Sequence, residues 1–169
     1  MELKYNLDFN DLADMQENVV RESKQHQKMK WIITILFAFL LFVTVLDASF
    51  TLVSLGIIIL FVVISPIVYT KLTIFSLKRN LKNQNLNSIL GNIVMHLNEE
   101  GISQRTGKNI SSFKWDDFTI LREDTEHYFL YMTDIQGITI PKRAISTEEM
   151  RKQFQYYYDT FLLPKIQNK

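Results

Sequence analysis

The chain has 169 residues, a formal net charge of +1 and no cysteine. Its length suits one soluble domain, or a small domain joined to a membrane hairpin. Disulfides, cysteine–zinc sites, iron–sulfur clusters and a thiol nucleophile are excluded, and the charge balance gives no sign of nucleic-acid binding.

In chain order, residues 3–9 read LKYNLDF. Leu3, Tyr5, Leu7 and Phe9 share one face, which predicts a short strand. NDLADMQENVVRESKQHQKMK follows. Asn10 or Asp11 can cap a helix here, and Asp11 and Asp14 suit its positive end. Its apolar face fades after Val19, and the helix is expected to run straight into the next segment. Residues 1–28 thus form a polar strand-plus-helix lead.

From Met29 to Tyr69 the only ionisable side chains are Lys30, Asp47 and Tyr69. The apolar run begins behind a charged segment, so it does not read as a cleavable leader. A bilayer core is about 30 Å thick and a spanning helix needs roughly 20 apolar residues. One helix through both apolar runs would be about 60 Å long. Two antiparallel spans fit instead, at 29–46 and 48–69, with a tight turn at Asp47-Ala48-Ser49. Asp47 then sits at the far interface. The competing reading, a proton-relay acid inside the bilayer, lacks a nearby His, Lys or Arg and costs at least about 2.5 kcal/mol.

Arg21, Lys24, Lys28 and Lys30 precede the first span, and Lys71, Lys78, Arg79 and Lys82 follow the second. The turn carries no basic residue, so both termini are expected in the cytoplasm. Trp31 and Tyr69 fall at that level as interfacial aromatics. Gly56 could allow close helix packing, and Thr34, Ala38, Ser54 and Gly56 offer contact points for a homo-oligomer. Residues 71–87 predict a basic juxtamembrane helix lying near the inner surface. Its Lys78, Arg79 and Lys82 are candidate contacts for anionic lipid headgroups.

From 88 onward the period changes to two. Short runs are punctuated by turns at EEG (99–101), TGKN (106–109), DD (116–117), DTE (124–126) and DIQG (134–137). This predicts a meander of short antiparallel strands forming a small barrel or a highly curved sheet. Ser146 and Glu149 suggest a capping box, and Met150, Phe154, Tyr157 and Phe161 form the stripe of a final helix that Pro164 ends. A strand meander closed by one C-terminal helix is the pleckstrin-homology-like layout. The fold class expected is therefore α+β, a transmembrane hairpin with residues 88–169 as a cytoplasmic domain that the N-terminal strand joins.

The membrane hairpin behind a polar lead, the turn Glu100-Gly101-Ile102, the aromatic Trp115 and the strand exit Ile140-Pro141-Lys142-Arg143-Ala144 together resemble the YcxB-like family of small bacterial membrane proteins. The resemblance implies a cytoplasmic pleckstrin-homology-like domain on a two-helix anchor, and it supplies no catalytic residues. It also implies a link to envelope protection, including self-immunity to membrane-active bacteriocins.

Residue chemistry points the same way. His26, His96 and His127 lack metal-ligand spacing, with His96 and His127 read as cross-strand packing. Asp116 and Asp117 read as a turn. No catalytic, cofactor or metal residues are assigned. Lys142 and Arg143 are the exposed pair most suited to a phosphate or an acidic partner, or equally to a solvated edge that discourages strand pairing. Two functions remain open. One is a noncatalytic protection protein whose hairpin meets a membrane-active peptide. The other is a membrane-tethered module that recognises a lipid headgroup or a protein.

Overall fold

Alternation in ELKYNL produces the first strand, β1 (Glu2–Leu7), with Leu3, Tyr5 and Leu7 buried and their neighbours exposed. The computed structural model describes residues 1–47, 52–84, 86 and 89–167. It is an α+β architecture with two long apolar helices and two small antiparallel sheets. Residues 1–15 with 83–169 form one compact unit, and residues 16–82 form another.

In the first unit, β1 pairs antiparallel with β2 (Gly91–Leu97), from Glu2 opposite His96 to Leu7 opposite Gly91. The meander continues through β3 (Gly101–Thr106) and β4 (Asn109–Lys114), giving the order β1-β2-β3-β4. The β2–β3 turn is set by Asn98, whose Oδ1 accepts the N–H of Glu100 and of Gly101. Glycine is required at 101, because a Cβ there would lie 2.0 Å from the Phe113 carbonyl oxygen. Gly107, at φ 59°, turns β3 into β4. After a 3-10 turn at Trp115–Asp117, β5 (Ile120–Glu123), β6 (His127–Tyr131) and β7 (Gly137–Pro141) form the second sheet. The DD pair therefore lies in a turn, where Asp117 Oδ2 accepts the Lys114 N–H at 2.7 Å.

One core joins the sheets, with Leu3, Met95, Ile102, Trp115, Phe118, Leu130 and Ile140 in a single buried cluster. The final helix covers it. Phe154 of α4 (Glu148–Tyr157) is buried, with its ring centroid 5.0 Å from that of Tyr128. Trp115 stacks on Tyr157 at 6.3 Å and on Phe161 at 6.2 Å, while its Nε1–H donates to the Asn98 carbonyl.

Two sequence expectations shift here. The cap of α4 is Thr147, whose hydroxyl accepts the Met150 N–H, and the Ser146 hydroxyl instead meets the Met150 sulfur. Thr147 holds the extended backbone an N-cap needs, so the cap moves by one residue and consists of this single bond. Nor does Pro164 end the helix. A π turn at Tyr158–Leu162 interrupts the ladder first, and Pro164 enters the opening turn of α5 (Leu163–Gln167), where its missing N–H costs little.

The second unit contains the second half of α1 (Phe9–Glu22), then α2 (Lys24–Asp47) and α3 (Leu52–Lys82). Ser23 separates α1 from α2, yet its N–H bonds Val19 and its carbonyl accepts from Gln27, so the helical ladder carries across the break. The α2 and α3 helices run antiparallel. Thr34 Oγ1 lies 3.1 Å from Ser65 Oγ, and Phe37 faces Phe61 at 6.4 Å. Residues 71–82 continue α3 without a break, so the basic stretch is the end of the long helix itself. Gly56 gives no close packing within the chain, since a Cβ there would meet nothing within 4 Å. Asp47 ends α2, and the rest of the turn expected at 47–49 lies outside the described residues.

Truncating Phe154 to Ala should cost about 3 kcal/mol, because the ring fills a buried site against Tyr128. Chemical denaturation of the full chain in detergent measures this, and a near-zero loss would show that the α4 stripe is not core.

Candidate functional site

The most concentrated polar chemistry in the first unit converges on Asp11, a residue only 2% exposed. Asp8 precedes α1 and caps it, with Oδ1 accepting the N–H of Asn10 and of Asp11. Asp11 returns the bond, its Oδ2 accepting the Asp8 N–H at 2.8 Å. This reciprocal box moves the helix cap from Asn10 or Asp11 to Asp8. It also aims the Asp11 carboxylate inward.

Arg143, in a 3-10 turn at Lys142–Ala144, then grips that carboxylate with both guanidinium nitrogens, Nη1 to Oδ1 at 2.7 Å and Nη2 to Oδ2 at 2.5 Å. Nη2 also donates to the Asn6 carbonyl. His127 Nε2 completes the set at 2.9 Å from Asp11 Oδ1.

Burial opposes ionisation of Asp11. The hydrogen bonds from Arg143, the Asp8 backbone and His127 outweigh it and hold the carboxyl below its ordinary 3.8. The same bond to Asp11 raises Arg143 above its ordinary value.

A carboxylate accepts only, so Nε2 of His127 carries a proton when Asp11 is ionised. The other ring nitrogen faces Asp124, with Nδ1 3.3 Å from Oδ1. The ring is 3% exposed and lies 5.5 Å from Phe129. Both ring nitrogens thus face carboxylates within a buried site. His96 does not meet it. That residue lies in the other sheet, opposite Glu2, with Nδ1 3.5 Å from Oε2.

The candidate contacts from the sequence fall into two groups. Arg143 is half exposed, but its guanidinium is committed to Asp11. Lys142 Nζ donates to the Asp124 carbonyl at 2.5 Å and lies over the Tyr128 ring at 4.9 Å. Together with Arg151, Phe154 and Gln155, Lys142 and Tyr128 line an open cleft.

In the second unit, Lys78 pairs with Glu17 at 2.9 Å, and Arg79 and Lys82 lie in the last turn of α3. Glu17 is held below its ordinary value by Lys78 and then by Arg21. Asp11 and Arg143 are separated by 132 positions, and Asp11 and His127 by 116, so no local pattern announces the cluster.

The model of the family described as YcxB-like protein matches residues 97–157. This segment is similar to that family. It runs from the end of β2 through β3–β7 to the end of α4, and it includes Gly101, Trp115, His127 and Arg143. The helical unit and Asp11 lie outside the YcxB-like match. A search of curated proteins and a search of solved structures each returned no match.

Replacing Asp11 with Asn removes the charge and leaves Arg143 without its counterion. Breaking a fully buried pair costs roughly 3–5 kcal/mol, and the half-exposed guanidinium reduces that to about 2 kcal/mol. The pH dependence follows from the direction of the shift. The folded carboxyl ionises below its unfolded value, so its contribution is present above about pH 4 and is lost as pH falls through the folded pKa. Acid titration of full-chain stability should show this loss, and Asp11→Asn should flatten it. An equally steep curve for the variant would place the acid sensitivity elsewhere.

Proposed function

We propose that this chain is a noncatalytic, membrane-anchored bacterial protein that protects the envelope, including immunity against a membrane-active bacteriocin peptide. In this reading α2 and α3 span the membrane as a hairpin and both termini lie in the cytoplasm. Residues 1–15 and 83–167 then form a pleckstrin-homology-like domain at the inner face.

The observation that carries the anchor is the outward apolar surface of α2 and α3. Both helices are long and apolar enough to cross a membrane. Ile35, Phe39, Leu52, Val53 and Val63 are between 61% and 87% exposed. A hairpin with that surface is stable in hydrocarbon and aggregates in water. Basic residues at the outer ends of both helices, with none described near the turn, support the inward termini. The four-plus-three strand meander under a C-terminal helix supports the pleckstrin-homology-like reading. The protection role draws its support from the resemblance and from this anchored architecture, with the hairpin positioned to meet a peptide inside the bilayer. Self-association of the anchor belongs to the same proposal, and the open surface at Gly56 would suit it.

A second reading is favoured by the cleft at Lys142. Two cations, Lys142 and Arg151, flank a floor of Tyr128 and Phe154. This is chemistry for an acidic protein segment or a lipid headgroup, and the module would then be a tethered adaptor. Arg143 belongs to the Asp11 cluster, so the clean test pairs Lys142→Glu with Arg151→Glu.

Topology is measured by impermeant labelling of intact cells, since the chain has no cysteine of its own. A reporter cysteine at Ala48 should label and one at Asn168 should not, and the reverse pattern overturns this topology. For function, a sensitive bacterial host expressing the chain should survive challenge with a membrane-active bacteriocin. Unchanged killing at confirmed membrane expression sinks protection. Loss of binding to an acidic partner in the Lys142→Glu, Arg151→Glu variant would establish the adaptor in its place.

A further inference from the structure

The polar end of the helical unit contains a second cationic cleft. Arg21, Lys30, Pro66, Ile67, Thr70 and Lys71 line it. Gln27 organises one side, its amide donating to the Arg21 carbonyl while its Oε1 accepts from Lys30 Nζ. Arg21 spends Nε and Nη2 on Glu17 and retains further N–H donors. Lys30 likewise retains two of its three. Among the described residues no acid pairs with Lys71. The floor differs in kind. Pro66 cannot donate, and the Thr70 hydroxyl is turned back to the Pro66 carbonyl at 2.9 Å. The cleft therefore presents positive donors around an apolar base.

A track leads away from it. Lys71, Ile67, Val63 and Leu60 follow one another at spacings of four, four and three, which places them on one face of α3. Ile67, Val63 and Leu60 are 56%, 61% and 58% exposed. Trp31, next to Lys30, is 49% exposed, as an interfacial aromatic would be. Cationic donors at the head of an exposed apolar stripe match a phosphate ester with acyl chains attached. A soluble anion would use the donors and leave the stripe idle.

We infer that Arg21, Lys30 and Lys71 form a site for the phosphate of an anionic phospholipid, with one acyl chain along Ile67, Val63 and Leu60. The inference rests on the membrane-anchored reading above. It places selective lipid contact at the start of the hairpin, upstream of the Lys78–Lys82 stretch.

The test uses the full chain purified in detergent, with retained lipid counted by native mass spectrometry. Phosphatidylglycerol should be retained in preference to phosphatidylcholine. Lys30→Gln with Lys71→Gln should reduce retained phosphatidylglycerol about tenfold or more, while Lys78→Gln with Arg79→Gln changes it by less than about twofold. Equal losses in the two variants would reduce the effect to unspecific charge and overturn the site. Equal retention of the two lipids would do the same. Displacement of phosphatidylglycerol by inorganic phosphate alone would make this a soluble-anion site and overturn the lipid assignment. Alkaline carbonate extraction of native membranes separates the two levels. Release of the chain defeats the anchor itself, whereas a chain that stays in the membrane without lipid preference defeats this site alone.

Discussion

A carboxylate withdrawn from water must recover its hydration from the protein. Asp11 does so with contacts from three separate parts of the first unit: the backbone ahead of its own helix, the start of β6 and the turn after β7. Each contact constrains something different. The Asp8 N–H fixes where α1 begins. Arg143 binds in a bidentate fork, which fixes orientation as well as distance. His127 is aligned by Asp124 behind it, so the ring cannot swing away without exposing two acceptors. The result is a joint of charge-assisted bonds at the point where the chain leaves β1 and becomes helical.

That joint matters because of where the helical unit lies in the sequence. The β1 strand precedes it and β2 follows it, yet the two strands pair along their whole length, with Leu7 opposite Gly91. The first sheet therefore closes only when the chain returns from the helical unit to lay β2 beside β1. Antiparallel packing of α2 on α3 helps that return, since a helical hairpin keeps its ends near each other and lowers the closure cost of a long insertion. If the hairpin is an anchor, it is an insertion within the domain's sequence. The domain's own first sheet is completed by strands on either side of the membrane segment.

Much of this architecture was legible because it is periodic. Leu3, Tyr5 and Leu7 alternate, Ile93, Met95 and Leu97 alternate, and both sets are buried. Turn residues marked the strand ends, and the stripe through Phe154 found its core. Local chemistry misled where two local solutions lay close together: Thr147 caps in place of Ser146, Asp8 in place of Asn10 or Asp11, and a π turn carries the helix past Pro164. The Asp11 cluster was illegible for a different reason. A cap residue and a buried ion-pair acceptor look alike in sequence, and the partners that distinguish them lie more than a hundred positions away.

The same distinction governs how the basic residues should be read. Topology depends on how many cations flank a span, and a pair with an acid scarcely alters that count. Recognition depends on donors that remain available. Arg143 is committed to Asp11, and Lys78 shares Glu17 with Arg21. Lys30 and Lys71 keep donors facing a cleft, and Lys142 and Arg151 flank another. The motif Lys142-Arg143 thus divides in two, one residue joining the fold and the other bordering an open surface. Binding chemistry in this protein is therefore to be sought where cations border an open cleft and not along every basic run.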